Sequence, residues 1–111
     1  MNLNDLIVHD SILISVHEDC HEGNLEFMID WVGDSGNGPY KKATLKFIDV
    51  IEYEVHEIPF QGHPTILEII EIGKLEGEYT LRKQLKIETN AGYRTLYCTG
   101  VELQHDETSM K

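Results

Sequence analysis

Between Leu25 and Trp31 every second residue is a large apolar one: Leu25, Phe27, Ile29 and Trp31 alternate with Glu26, Met28 and Asp30. A repeat of two places the four apolar side chains on one face of an extended strand, whereas a helix of 3.6 residues per turn scatters them around its axis. The segment predicts a strand with one face in a core, and it assigns Trp31 to that core beside Phe27. A lone strand leaves its backbone groups unpaired, so it needs neighbours. Upstream, Ile12, Ile14 and Val16 alternate with Leu13, Ser15 and His17. The link Asp19-Cys20-His21-Glu22-Gly23-Asn24 is short, polar and contains glycine, which predicts a hairpin.

The same pattern recurs downstream. Gly33-Asp34-Ser35-Gly36-Asn37-Gly38-Pro39 reads as a loop, because glycine and proline are poorly held inside a ladder. Residues 41–57 read as one kinked strand or two: Leu45 and Phe47 set one phase, Ile51, Tyr53 and Val55 another, and the change near Asp49-Val50 predicts a bulge or tight turn. A second link runs from Ile58 to Pro64. Residues 65–72 admit two readings. Thr65 and Glu68 have the spacing of a capping box that opens a helix ending at Gly73. The isoleucine content favours a strand, with Ile66, Glu68, Ile70 and Ile72 on one face. Residues 79–88 and 93–103 predict a final hairpin across Asn90-Ala91-Gly92, a three-residue loop with left-handed glycine. In its second arm Tyr93, Thr95, Tyr97, Thr99, Val101 and Leu103 share a face, opposed by Arg94, Leu96, Cys98 and Gly100. Residues 1–9 read as a turn or helical start, with Leu3, Leu6 and Ile7 on one side, and residues 104–111 as a frayed polar tail. The expectation is a single domain over residues 1–111. It is all-β, or β-rich with one short helix, arranged as an antiparallel sandwich or a strongly twisted meander. A chain of 111 residues is long enough for one core without staples.

Charge narrows the partners. The formal net charge is −11, and residues 1–40 carry Asp5, Asp10, Glu18, Asp19, Glu22, Glu26, Asp30 and Asp34 with no Lys or Arg. Such a chain is repelled by phosphate backbones and anionic lipid, so neither nucleic acid nor membrane is expected as a partner. A basic protein is the better fit. Glu18, Asp19, Glu22, Asp30 and Asp34 form the candidate interaction surface. No run approaches the ~20 apolar residues of a membrane-spanning helix, and no secretory leader is evident. Two cysteines, Cys20 and Cys98, make no disulfide framework. The expected location is the cytoplasm.

Chemistry-bearing constellations are few. Gly33-Asp34-Ser35-Gly36 invites comparison with the nucleophile loop of trypsin-like serine proteases, but those enzymes need a base, an orienting carboxylate and oxyanion donors on a scaffold about twice this length. His17-x-x-Cys20-His21 carries zinc-type ligands, yet a fourth ligand must come from His9, Asp19 or Glu22 and no second Cys/His pair completes the set. Cys20 lies among acids that disfavour a thiolate, and Cys98 reads as a small core residue. His9-Asp10-Ser11 precedes the first strand, where Asp or Ser can bond backbone groups and set the strand's entry. No catalytic residue, cofactor or metal site is predicted.

His9-Asp10-Ser11, an Ile/Val strand, a hairpin and an acidic-aromatic strand follow one another here. Later come Leu45-Lys46-Phe47-Ile48-Asp49-Val50, in the pattern Leu-x-Phe-x-x-Val, and Leu96-Tyr97-Cys98-Thr99-Gly100-Val101-Glu102-Leu103. Over residues 9–103 the chain resembles a group of small bacterial all-β proteins, some of them immunity proteins that neutralise polymorphic toxins. The resemblance implies a protein partner and supplies no catalytic residue. The leading expectation is a small acidic binding protein, in the extreme an immunity-type inhibitor of a basic toxin. The alternative is a metal-binding accessory protein or small enzyme using His17, Cys20 and His21. Oligomeric state is open at this stage.

Overall fold

The computed structural model describes residues 8–31, 40–59, 61–77 and 80–105. They form eight strands: β1 (Ser11–Asp19), β2 (Asn24–Trp31), β3 (Lys41–Ile48), β4 (Ile51–Glu57), β5 (Thr65–Glu76), β6 (Leu81–Thr89), β7 (Gly92–Cys98) and β8 (Gly100–His105). All neighbouring pairs are antiparallel, in the order β4-β7-β6-β5-β1-β2-β3-β8. The fold is all-β as expected, and no helix occurs among the described residues. Residues 65–72 are strand, so the capping-box reading fails, and the chain runs straight through Gly73.

Strand order explains the curvature. β3 and β4 stand near opposite ends of the sheet, yet only Asp49 and Val50 separate them. Six strand spacings of about 4.8 Å would part them by about 29 Å in a flat sheet. A link this short reaches only about 10 Å. β7 and β8 face the same mismatch, with Thr99 alone between them. The sheet therefore bends on itself without closing into a barrel, and β4-β7-β6-β5 faces β1-β2-β3-β8. The two halves join through a narrow seam, Ser11 opposite Ile66 and Ile12 opposite Thr65.

Both crossings meet at one corner. Thr99 N donates to Ile48 O at 2.9 Å, Val50 N to Gly23 O at 2.7 Å, and Asp49 N to Asn24 Oδ1 at 3.0 Å. Asp49 holds a φ of 58°, a conformation uncommon outside glycine. Arg82 fixes it, through Nε to the Asp49 carbonyl at 3.1 Å and Nη2 to its carboxylate at 3.0 Å. The predicted phase change near Asp49-Val50 is this corner.

The core lies between the halves. Leu25, Phe27, Ile29 and Trp31 are buried as predicted, beside Leu45 and Phe47 of the neighbouring β3 and in one core with Leu85, Ile87 and Leu96 of the other half. Three expectations on facing need correction. In β1 Ser11 and Leu13 are buried and Ile12 and Ile14 half-buried; a bulge between Leu13 and Ser15 then breaks the alternation, so Val16, opposite Phe27, no longer shares a face with Ile12, and it is exposed. In β5, bulges after Ile66 and Glu71 split the proposed face: Ile66 is buried, Ile69 packs on the core, and Glu68 and Ile72 are exposed. Residues 93–103 are two strands rather than one. Leu96 and Cys98 point inward and Tyr93 outward, and the phase resets at Thr99 so that Val101 is buried.

The β6–β7 loop is also tighter than expected. Thr89 pairs with Gly92, leaving Asn90 and Ala91 as a two-residue turn. Gly92 has a φ of 146°, and a Cβ there would collide with the His56 carbonyl of β4. Glycine is needed at this point for two reasons, a positive φ that side-chain-bearing residues rarely adopt and the close approach of β4. Gln104 and His105 belong to β8, paired with Thr44 and Ala43. The expectations for residues 1–7, the loop at 33–39 and the tail at 106–111 lie outside the described residues.

Candidate functional site: an acidic cleft at the hairpin tip

The β1–β2 turn is built by Asp19. Its Oδ1 accepts from His21 N at 3.1 Å and Glu22 N at 3.2 Å, while its carbonyl accepts from Gly23 N at 2.8 Å. Gly23 takes the positive φ (74°) that closes the loop. Because Asn24 and Gly23 also hold the Asp49-Val50 corner, the tip is tied against the start of β4. A cleft of about 260 Å³ opens there, lined by Glu18, Asp19, Cys20, Leu25, Val50, Ile51, Glu52 and Tyr53 among others. Glu18 and Glu52 are exposed, and no Lys or Arg lines the cleft. Glu52 has a φ of 53°, a strained conformation for a non-glycine residue. Three carboxylates from two strands in a walled recess concentrate negative potential and favour a cationic group.

Of the sequence-predicted surface, Glu18, Asp19 and Glu22 come together at this tip. Asp30 does not join them: six residues beyond Asn24 along β2, it is half-buried and accepts from Lys42 Nζ at 2.7 Å. Asp34 and the Gly33-Asp34-Ser35-Gly36 motif lie outside the described residues. Trp31 is core, 2% exposed. Glu52 was not singled out from the sequence, and its acidic neighbourhood in β4 was the available signal.

His17, Cys20 and His21 are all exposed. Among the described residues no three His, Cys, Asp or Glu side chains are grouped to hold a metal ion. If these residues nevertheless held a structural zinc, its removal would lower the melting temperature substantially. We expect chelator to leave the melting temperature of the purified, untagged chain unchanged in a thermal melt. A fall on chelation that Cys20→Ala reproduces would contradict this. Cys98 is buried, which pushes its thiol up to about 11; such a group is unreactive at neutral pH. At the β1 entry, neither Asp10 nor Ser11 bonds backbone of the described residues through its side chain. Asp10 pairs with His9 at 3.3 Å, and Ser11 Oγ is buried without a hydrogen-bond partner. The entry is set instead by main chain: Asp10 has a φ of 68°, its N–H donates to Ile66 O at 2.7 Å, and Ser11 N donates to Val8 O at 3.0 Å.

One polar network had no sequence signal. Arg94 Nε and Nη2 donate to the two oxygens of Glu57 at 2.7 and 2.8 Å, and Nη1 to Tyr53 Oη at 3.0 Å. The arginine also stands over the Phe27 ring, 5.9 Å from its centroid. The pair holds Glu57 below the usual carboxylate range, and burial raises the Tyr53 phenol despite Arg94. The network ties β4 to β7, and its Tyr53 also lines the cleft. A second hollow, of about 410 Å³, lies on the outer face of β1-β2-β3-β8 beside Ile14, Met28, Thr44 and Gln104.

No protein-family model and no curated protein sequence matches the chain. No described helix is long and apolar enough to cross a membrane.

Proposed function

We propose that this chain is a small cytoplasmic binding protein whose acidic cleft takes a basic segment of a protein partner, in the manner of an immunity-type inhibitor. The carrying observation is the cleft itself, with Glu18, Asp19 and Glu52 on its walls and no Lys or Arg among its lining residues. Glu22 on the adjoining turn extends the same field. An arginine or lysine entering the recess would exchange water for charge-assisted hydrogen bonds, and the excess negative charge would speed encounter. No observation favours metal binding or catalysis over this reading.

The test is calorimetric titration with an unstructured Arg- and Lys-rich peptide at physiological salt. Glu18→Lys, Glu22→Lys and Glu52→Lys together should weaken binding by at least about tenfold, since one rim charge is worth of order 1 kcal/mol or less. The same number of reversals elsewhere, at Glu68, Glu88 and Glu102, should have a much smaller effect. Equal losses in the two variants would mean that net charge alone governs binding and that the cleft is no site.

A further inference from the structure

Beyond Ile66, β5 parts from β1. β1 pairs with it only at Thr65 and Ile66, and among the described residues no strand occupies that edge from Leu67 to Glu76. β5 and β6 run on together to a turn closed by Gly77 N donating to Thr80 O at 2.7 Å, and β7 covers the far edge of β6 from Lys83 to Thr89, so β5 is the edge strand of a wider sheet. Leu67, Ile72 and Leu75 of β5 and Leu81 of β6 are exposed. A strand edge unpaired among the described residues and flanked by apolar side chains is a template for another strand.

The register with β6 fixes which side chains share a face. Glu71 stands opposite Leu85 and Lys74 opposite Lys83, while Ile70 stands opposite Lys86 and Leu75 opposite Arg82. Leu85 and Lys83 are two apart on β6, so Glu71 and Lys74 share one face although three residues separate them. The bulge between Glu71 and Gly73 makes this so. Ile70 and Leu75 share the other face by the same route. The segment is thus symmetric in facing about the point between Ile72 and Gly73.

We propose that the chain forms a two-fold dimer in which the free β5 edges of two copies pair antiparallel, centred between Ile72 and Gly73. In this register Glu71 of each copy lies opposite Lys74 of the other, and Ile70 opposite Leu75. Each opposed pair falls on the same face, as an antiparallel ladder requires. A register centred on Glu71 or on Lys74 sets like charges against each other. Within its own sheet Lys74 stands opposite Lys83, whose ammonium lies 3.8 Å from Glu71 of the same chain, and Glu71 of the second copy would give Lys74 a carboxylate across the new edge. The two-fold axis makes every favourable pair twice.

Analytical ultracentrifugation of the full chain over a wide concentration range is the test, and a monomer–dimer equilibrium is the expected result. Lys74→Glu and Glu71→Lys each put like charges into both cross-strand pairs. Each should raise the dimer dissociation constant by about tenfold or more. The first makes the chain more acidic and the second less, so a loss in both does not come from net charge. The double exchange Glu71→Lys with Lys74→Glu restores opposite charges and should return the wild-type constant. Circular dichroism melts confirm that each variant is folded. A wild-type chain that stays monomeric, or a double exchange that fails to recover a dimer lost in the single variants, overturns the proposal.

Discussion

Replacing Phe27 with Ala is expected to lower the unfolding free energy by about 3–5 kcal/mol, the range for emptying an aromatic core site. Phe27 is fully buried on β2, and its ring meets Phe47 edge-on at 5.0 Å and Tyr53 at 6.2 Å. Those contacts join β2 to β3 and, across the core, to β4, so the ring packs between the two halves of the bent sheet. The halves share few backbone hydrogen bonds, since the β1–β5 seam is two residue pairs wide. Side-chain packing must therefore supply most of what holds them together, and a void at Phe27 cannot be relieved by a shift of one strand. Glu26, the next residue, is half-buried on the opposite face of β2. Its replacement by Ala should change stability by less than about 0.5 kcal/mol. Urea denaturation of the two variants measures both. Similar losses at Glu26 and Phe27 would mean that β2 faces the other way.

That contrast was legible in the sequence because β2 is regular and its two faces differ in chemistry. The facing of β1 is not legible, for the opposite reason. Leu13 sits between Ile12 and Ile14, so both faces look apolar, and periodicity cannot choose between them. The bulge before Ser15 then removes the phase altogether. β5 has the same difficulty, with isoleucine on both faces and two bulges. In residues 93–103 the alternation continues unbroken through Thr99, yet the chain changes sheet halves there, and what forces the change is strand order. Strand order rests on contacts between residues far apart in sequence, which local pattern does not carry. The site divides along the same line. The hairpin tip with Glu18, Asp19 and Glu22 follows from a local turn motif. Glu52 reaches the cleft only because the Asp49-Val50 corner is bonded to Gly23 and Asn24.

Arg94 is the other position where a large loss is expected. Its side chain is 13% exposed and that of Glu57 11% exposed, and the two are joined by a pair of parallel hydrogen bonds. Arg94→Leu leaves the Glu57 carboxylate largely buried without its cation, and among the described residues the Thr89 hydroxyl, at 3.3 Å and shared with the Gly92 carbonyl, is the donor that remains. Breaking such a pair from one side costs about 3–5 kcal/mol when the site is fully buried, so a loss of about 3 kcal/mol is expected at neutral pH. Replacing both partners with Leu should recover much of it, because the desolvation penalty disappears with the charges. The loss should also depend on pH. Hydrogen bonds from Arg94 hold Glu57 below the ordinary carboxylate range, against the opposing effect of burial. A carboxyl depressed in the folded state binds its proton more readily when unfolded. Its contribution is therefore present above the ordinary carboxylate value and is lost as pH falls through the depressed one. The difference between wild type and Arg94→Leu should accordingly shrink as pH drops from neutral into that acidic range. Urea denaturation of the two proteins across the range gives the answer, and a difference independent of pH would show that Glu57 is not what Arg94 stabilises.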